Sequence, residues 1–580
     1  MHKTYHFVQY TLFFVYFCGA SAKHHTRTKP LKEMKNFIER FETSVKENWD
    51  NAALSDYRGE TWSYSQVAHE IATMHLVWKA AGITEGDKIS LNARSCANWA
   101  KMFLATITGG QIAVQLFNGF TPAEVQKFVQ HSDSRILFTE KTVFEELDLE
   151  LLPQLIAVFD TRSLELLAGS DSFKEIYSRR GELFATAYPN GFTPEAVDYT
   201  KPDMDELCCI NYTSGSTGNP KGVMLTVRNI SSNVDTIPKH FPYRKGDSYL
   251  SMLPFAHIFG LLFDFLTCIC QGMHITVLGM PPAPTILKDA MQQVMPRVIM
   301  MVPLVLSKMI EFAIGEFIHS RTGRGRLKEY RQHPEFCQAL RTIALSYLGG
   351  RCEAIMTGGA AIPENLEELL ITKLGIPLVT GYGMTECGPA IALPRLGLYK
   401  LRSCGEIVER MQARIDSDDP HHTVGELWVK GDNRFIGYYK NPEADSEVFT
   451  KDGWFRTGDL GIIDKDNTLF LVGRCKSMLL TSNGQNVYPE EIEVKLNVMR
   501  YVAESIIVQR GERFTALIVP NEEQLANDGI LSDTLRVIME KNIDALNNEI
   551  PTYSQISGYE LLKEPFAKTP KGSIKRFLYS

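Results

Sequence analysis

The chain has 580 residues, of which 44% are hydrophobic and 22% are charged, a composition close to the average of soluble globular domains. This balance excludes collagen-like, disordered and polytopic membrane proteins, and the length suggests roughly three to five folding units. Residues 1–32 carry five basic residues and no acidic one, so a net charge of −7 becomes −12 for the remainder. Such a body has no positive field to attract nucleic acid, and a small-molecule enzyme is the better expectation.

The N-terminus has an apolar stretch over residues 7–20, followed by Ala20-Ser21-Ala22 and a basic segment. This pattern is typical of a secretory signal, and the stretch is too short to be a membrane span. The alternative is that the start codon was assigned too far upstream and that Met34 is the true beginning. Residues 1–33 are therefore predicted to be a signal-like or misassigned extension.

Between residues 88 and 140, short apolar runs (KISLNA, QIAVQLF, RILFTE) alternate with segments of helical periodicity. The alternation predicts α/β units around a largely parallel sheet. One helix is well marked, because Thr121 can cap it, Pro122 suits its first position and Glu124 completes a capping box. The eleven cysteines form no CxxC pair and no zinc-spaced cluster, so we expect reduced thiols without a disulfide framework or structural metal.

The same alternation recurs from residue 296 to 380, where RVIMMVP and EAIMTGG predict buried strands and residues 363–374 predict a helix ended by Gly375. The apolar passage 250–280 is interrupted by polar residues, which favours a buried helix and strand over a membrane span. Beyond Ser403, short strands with turn signals predict a β-rich subdomain. We therefore expect an α/β N-terminal domain over 34–476, with a β-rich part at about 403–476, and a smaller mobile α+β domain over 477–580.

The strongest local signal is the segment YTSGSTGNPKG at residues 212–222. Its glycines free the backbone to turn N–H groups toward an anion, its Ser and Thr hydroxyls can donate to phosphate oxygens, and Lys221 adds a positive charge. The segment lacks the GK[ST] ending of a Walker A loop. It predicts a nucleotide-phosphate loop whose contacts come from Thr213, Ser214, Gly215, Ser216, Thr217 and Gly218.

Six further motifs follow in a fixed order: LPFAH at 253–257, GGA at 358–360, GYGMTE at 381–386, WFRTGD at 454–459, GR at 473–474 and NGQNVYPEEIE at 483–493. With the phosphate loop, they closely resemble the acyl-adenylate-forming superfamily of acyl-CoA synthetases, peptide-synthetase adenylation domains and luciferases. The resemblance covers nearly all of residues 36–580. It implies an enzyme that activates a carboxylic acid with ATP and then passes the acyl group to a thiol.

The resemblance also implies roles for single residues. Glu386 is similar to the family's Mg²⁺ ligand and Thr385 to its phosphate contact, while His257 matches the wall of the acyl pocket. Read alone, each of these residues has an ordinary structural explanation, and a lone histidine beside an apolar run is usually a core residue. For the nucleotide, Tyr382 is expected to stack on adenine beside Gly358 and Gly359, and Asp459 to bind the ribose with Arg474 nearby.

Two departures from the family pattern matter. Ser477 and Leu480 stand at the hinge where Asp or Lys and a further lysine are usual, and Ser573 stands where the C-terminal adenylation lysine is expected. Serine cannot supply that positive charge. Lys571 and Lys575 lie two residues to either side, and we slightly favour Lys575 as the substitute because it belongs to the family-like Ile-Lys-Arg ending.

The resulting hypothesis is a cytoplasmic fatty acid–CoA ligase that uses ATP, Mg²⁺ and coenzyme A, with peripheral membrane contact as a further expectation. The sequence does not indicate acyl chain length or oligomeric state, although the segments around 358–386 look most like long-chain members. ATP and coenzyme A are held inside cells, which favours Met34 as the true start. The alternatives are an acyl-AMP ligase that loads a carrier protein and a degenerate protein that keeps only the nucleotide pocket.

Overall fold

The computed structural model describes residues 33–213, 221–481, 485–511, 513–569 and 574–579. Two compact units divide the chain, Met1–Met34 and Lys35–Ser580. All elements below belong to the second unit. The signal-like segment and the cleavage-like residues Ala20 to Ala22 lie outside the described residues.

The central element is an eight-stranded sheet. Its four inner pairings are parallel, and the pairings at both edges are antiparallel. The predicted strands at KISLNA, QIAVQLF and RILFTE all lie in it, so the largely parallel sheet is confirmed. In spatial order its strands are Gly437–Tyr438, Lys221–Thr226, Leu207–Thr213, Ile112–Leu116, Lys88–Asn92, Ile136–Thr139, Ala157–Asp160 and Leu166–Gly169.

Helices cover this sheet and supply much of the core. The capped helix is confirmed as Pro122–Ser132: the Thr121 hydroxyl accepts from the Glu124 N–H, and the Glu124 carboxylate accepts from the Thr121 N–H at 2.8 Å. Ala97–Thr108 is buried along its whole length, as expected for a helix enclosed by a large core. The other α-helices before residue 475 are Phe37–Glu47, Tyr64–Ala80, Lys141–Phe144, Asp171–Ser178, Arg180–Ala187, Val227–His240, Thr267–Cys270, Pro284–Val294, Pro303–His319, Arg321–Lys328, Pro334–Tyr347, Glu364–Glu367 and Pro442–Val448.

A second α/β layer contains two smaller sheets. The strands predicted at RVIMMVP and EAIMTGG are confirmed as Val298–Met301 and Ala354–Thr357, in a parallel three-stranded sheet with Leu378–Thr380. The passage 250–280 forms a π-helix, Gly260–Leu266, that continues into Thr267–Cys270, followed by the strand His274–Val277. That strand lies between Ser248–Ser251 and Ala52–Asp56 in a four-stranded sheet, and Thr61–Ser63 pairs with the other side of Ala52–Asp56.

The helix predicted over 363–374 differs from the structure. An α-helical turn, Glu364–Glu367, passes into a π-helix, Glu368–Lys373. Leu370 and Leu374 are buried, whereas Leu366 and Leu369, which a regular α-helix would place on the same face, are only half-buried. The wider π turns rotate successive side chains away from the 3.6-residue period on which the prediction relied.

The region after Ser403 is β-rich, as predicted. An antiparallel sheet contains Met411–Asp416, Gly425–Gly431, Phe455–Ile463 and Leu469–Arg474. A smaller one contains Tyr382–Gly383, Ala390–Leu393 and Glu406–Ile407. Within the segment NRFIGYY, only Gly437–Tyr438 forms a strand, and this strand joins the large central sheet instead of the β-rich part.

The C-terminal part has a hydrophobic core of its own, built around Leu496, Tyr501 and Met539. Its α+β character is confirmed. Among the described helices, none combines the length and apolar character that a bilayer crossing requires. The elements of this part are the strands Leu479–Leu480, Asn486–Val487, Val502–Arg510, Arg513–Pro520 and Ile556–Leu561, and the helices Pro489–Leu496, Glu522–Asp528 and Ser532–Asn547.

Candidate functional site

The predicted phosphate loop connects two neighbouring antiparallel strands. Thr213 ends the strand Leu207–Thr213, Lys221 begins the strand Lys221–Thr226, and the two residues are partners in register. The Thr213 hydroxyl donates to the Lys221 carbonyl at 3.3 Å. Both residues therefore flank the loop at fixed positions. The other predicted loop residues, Ser214, Gly215, Ser216, Thr217 and Gly218, lie outside the described residues.

Lys221 and Glu386 both contact one tyrosine. The Lys221 ammonium lies 4.8 Å from the centre of the Tyr438 ring, within the range of a cation–π interaction. The Tyr438 hydroxyl donates to Glu386 Oε1 at 3.0 Å. Burial, and then the negative charge of Glu386, raise the pKa of Tyr438, so its hydroxyl remains a donor at neutral pH.

Strand pairing explains why Tyr438 lies there. Tyr438 is the partner of Val223 in the central sheet, and Lys221 is two residues from Val223 on the same strand face. The Tyr438 N–H also donates to Asp445 Oδ1 at 2.7 Å. Sequence reasoning missed Tyr438, because no local pattern in FIGYY reveals the strand with which it pairs.

Thr385 and Glu386 lie together in a short 3₁₀ turn, Thr385–Cys387. Thr385 is buried, and the Glu386 carbonyl accepts from the Phe435 N–H at 2.8 Å. That contact joins the turn to the segment that carries Tyr438. The predicted metal ligand and the predicted phosphate contact are thus held beside Lys221.

Tyr382, Asp459 and Arg474 form a second cluster. The Tyr382 hydroxyl donates to Asp459 Oδ2, and Arg474 Nε donates to Asp459 Oδ1 at 2.8 Å. Asp459 and Arg474 are partners in adjacent antiparallel strands. Burial and the charge of Asp459 raise the pKa of Tyr382, and the charge of Asp459 raises the pKa of Arg474. The structure therefore brings together three residues that the motifs assign to the nucleoside.

Gly358 and Gly359 follow the strand Ala354–Thr357 and lie beside this cluster. A Cβ atom on Gly358 would be 3.5 Å from both the Gly381 carbonyl and the Phe259 ring. Gly359 has a φ of +80°, which favours glycine. Gly359 is exposed, whereas Gly358 is buried against the residue that precedes Tyr382. The Phe259 ring lies next to Gly358, and sequence reasoning did not single this residue out.

His257 is half-buried in the LPFAH segment. Its Nδ1 accepts from the Phe259 N–H at 3.3 Å. His257 is thus joined to the residue whose ring lies next to Gly358. The acyl-pocket role remains a prediction.

The LPFAH segment is held by a buried carboxylate, Asp264. Asp264 Oδ2 accepts from the N–H groups of Met252 and Leu253, both at 3.0 Å. The hydroxyls of Tyr249 and Ser251 also donate to this carboxylate, at 2.8 and 3.2 Å. Burial raises the pKa of Asp264 to about 7. Asp264 therefore fixes the backbone at the start of the LPFAH segment, and no pattern in the sequence singled it out.

The C-terminal candidates are less closely connected to these clusters. The Lys575 N–H donates to the Ala567 carbonyl at 2.8 Å, and the neighbouring Arg576 forms an ion pair with buried Glu493. In the described part of the chain, Lys575 is not among the residues brought to Lys221 and Glu386. Lys571 and Ser573 lie outside the described residues.

The hinge residues Ser477 and Leu480 are both described. The Ser477 N–H donates to the Arg474 carbonyl at 3.1 Å. The predicted hinge therefore begins next to the cluster formed by Arg474, Asp459 and Tyr382. Leu480 lies in the short strand paired with Asn486. Among the described residues, no group of three or more His, Cys, Asp or Glu side chains is arranged to hold a metal ion.

Comparison with family models gives two matches. A model described as an AMP-binding enzyme matches residues 41–439, and one described as the C-terminal domain of AMP-binding enzymes matches residues 476–579. Together these ranges include every candidate residue named above except Asp459 and Arg474, which lie between them.

Two curated relatives illustrate the range of similar proteins. The chain is 26% identical over 482 residues to the long-chain-fatty-acid–CoA ligase FadD15 of Mycobacterium bovis, covering 78% of this chain and 76% of that protein. It is 24% identical to the long-chain-fatty-acid–[acyl-carrier-protein] ligase AEE15 of Arabidopsis thaliana, covering 89% and 80%. Among solved structures, ATP-bound MatB from Rhodopseudomonas palustris has a TM-score of 0.73, with 21% identity and coverage of 94% and 98%. That structural likeness shows the fold alone.

Proposed function

The chain belongs to the family of AMP-binding enzymes, and on that premise we propose that it activates a fatty acid with ATP and transfers the acyl group to coenzyme A. A carboxylate oxygen attacks the α-phosphorus of ATP. The bond between the α-phosphorus and the oxygen that bridges it to the β-phosphate breaks, and pyrophosphate leaves. The coenzyme A thiol then loses its proton and attacks the acyl carbon of acyl-AMP, so that AMP leaves with the electron pair of the broken C–O bond.

One observation carries this proposal. The segment from Tyr382 to Glu386 contacts Asp459 at its first residue and, through Tyr438, reaches Lys221 at its last. The carboxylate proposed to bind the nucleoside and the lysine proposed to bind phosphate therefore lie at the two ends of one short segment. This is the arrangement that positioning of ATP for attack at its α-phosphorus requires.

A magnesium ion fits this arrangement. Mg²⁺ is usually bound by one or two carboxylates together with substrate phosphates, and Glu386 supplies one carboxylate beside Lys221. Glu386 would hold the ion, which would neutralise phosphate charge. Lys221 and Thr385 bind phosphate oxygens in this proposal, and Asp459 accepts from the ribose hydroxyls.

The substrate class rests on similarity. The acyl chain is proposed to be medium or long, because the relatives include long-chain ligases and the apolar segment beside His257 offers an adaptable wall. The reaction is proposed to take place in the cytoplasm, where ATP and coenzyme A are available. Peripheral membrane contact belongs to the same proposal, since long acyl chains partition into bilayers.

The acceptor is tested by supplying purified protein with ATP, Mg²⁺ and fatty acids from six to twenty carbons, and with either coenzyme A or a holo acyl carrier protein. Acyl-CoA formation with a medium or long acid is expected. Product on the carrier protein alone would identify an acyl-AMP ligase, and absence of any acid-dependent AMP release would indicate a degenerate binding protein.

A further inference from the structure

The contacts of Tyr438 exceed what packing requires. Its ring lies against Phe435, with ring centres 4.9 Å apart, and the residue is 5% exposed. Yet its two polar features are directed at two functional residues: the ring face at the Lys221 ammonium and the hydroxyl at the Glu386 carboxylate. A phenylalanine would pack equally well against Phe435.

Lys221 and Glu386 have opposite charges, and each must keep its charge available for a different part of the ligand. A direct ion pair between them would neutralise both before the nucleotide arrives. Tyr438 gives each group a neutral partner instead. The ring attracts the ammonium without consuming its N–H donors, and the hydroxyl binds only one of the two carboxylate oxygens.

We propose that Tyr438 is a positioning residue that orients the Glu386 carboxylate toward the metal ion and the phosphates. Tyr438 also keeps Lys221 from forming an ion pair with Glu386. The proposal rests on the function proposed above. Tyr438 acts through Glu386 and Lys221. Two local constraints fix it: the hydrogen bond from its N–H to Asp445 and the strand pairing with Val223. Residues that orient a metal ligand in this way commonly alter metal affinity when they are replaced.

The test separates the hydroxyl from the ring. Tyr438→Phe keeps the ring and removes the donor to Glu386, whereas Tyr438→Leu removes both. The matched control is Tyr439→Phe, because Tyr439 directly follows the strand and its hydroxyl donates to the exposed Asp133 at 3.4 Å. Equilibrium binding is followed with Mn²⁺ and α,β-methylene-ATP by electron paramagnetic resonance, and AMP binding without metal by calorimetry.

For Tyr438→Phe we expect the Mn²⁺ dissociation constant to rise by about tenfold, with unchanged AMP binding and unchanged KM for fatty acid. For Tyr438→Leu we expect the same weakening of Mn²⁺ binding and, in addition, an increase in the KM for ATP, because Lys221 can then form an ion pair with Glu386. Wild-type Mn²⁺ affinity in Tyr438→Phe would overturn the proposal, as would an equal loss of metal-free AMP binding, which indicates a merely structural role. If the wild-type protein itself lacks acid-dependent turnover, the proposed function fails, while the Mn²⁺ measurement still decides the role of Tyr438.

Discussion

Tyr382 donates its hydroxyl hydrogen to Asp459, the same carboxylate that accepts from Arg474 on its other oxygen. Asp459 is thus held by two partners, in a buried position, before any nucleotide binds. A carboxylate that is preorganised in this way can accept from ribose hydroxyls with little further loss of freedom. This arrangement gives the first prediction.

Replacement of Asp459 by asparagine should weaken ATP binding while the fold is retained, because the amide has nearly the same shape but no charge. Hydrogen bonds to charged groups contribute about 1.5–3 kcal/mol, so we expect the KM for ATP to rise by about 10- to 100-fold. Steady-state kinetics with Asp466→Asn, an exposed residue of the same β-rich region, provides the control. Unchanged ATP affinity would remove Asp459 from the nucleotide site.

Lys221 and Glu386 should each contribute to the adenylation transition state. Alanine at either position is expected to lower the rate of pyrophosphate exchange by about 10² or more, the scale of losing one preorganised electrostatic contact. Lys239→Ala is a suitable control, since Lys239 pairs with Asp235 and Glu409 away from this cluster. Near-wild-type exchange by folded Glu386→Ala would contradict its assignment to Mg²⁺.

The missing C-terminal lysine is tested by separating the two half-reactions. A lysine that replaces the one expected at Ser573 should be needed for adenylation and not for thioester formation from supplied acyl-AMP, because the C-terminal domain is proposed to move between the two steps. We expect Lys575→Ala to show this split more strongly than Lys571→Ala. Normal adenylation by both variants and by the double variant would mean that neither lysine supplies the charge.

Asp264 should matter for stability. Asp264→Ala leaves the Met252 and Leu253 N–H groups and the Tyr249 hydroxyl without their acceptor. An unsatisfied buried donor costs about 1–3 kcal/mol, so we expect the free energy of unfolding to fall by about 3 kcal/mol or more. Asp289→Ala, at an exposed ion pair with Arg58, should change stability by less than about 0.5 kcal/mol. Urea denaturation of both variants makes the comparison, and equal stability would show that the Asp264 contacts contribute nothing.

The same residue gives a pH dependence. Its folded pKa of about 7 lies above the unfolded value of about 3.9, so the folded state binds the proton more tightly. The part of the stability that comes from tighter proton binding at Asp264 is therefore complete below about pH 4 and is lost as the pH rises through about 7. The stability difference between wild type and Asp264→Asn should shrink over that interval, and a difference independent of pH would contradict the shift.

Local chemistry made some elements predictable and not others. The helix Pro122–Ser132 follows from Thr121 and Glu124, which interact within one turn, and the strands follow from short apolar runs. Family motifs assigned Tyr382 and Asp459 to the nucleoside, but the hydrogen bond between them was not predicted. Tyr438 was missed because its position depends on pairing with Val223, a contact between distant parts of the chain that no local pattern encodes. The π-helical turns after Glu367 were missed because a 3.6-residue period cannot reveal them.

The central claim is tested most directly by exchange of radiolabelled pyrophosphate into ATP, measured with purified wild-type protein, Mg²⁺ and palmitate, with and without the acid. Adenylate formation is reversible, so label should enter ATP only when the fatty acid is present, and coenzyme A should not be required. Exchange that is absent with every fatty acid tested, in protein that binds ATP, would contradict the account.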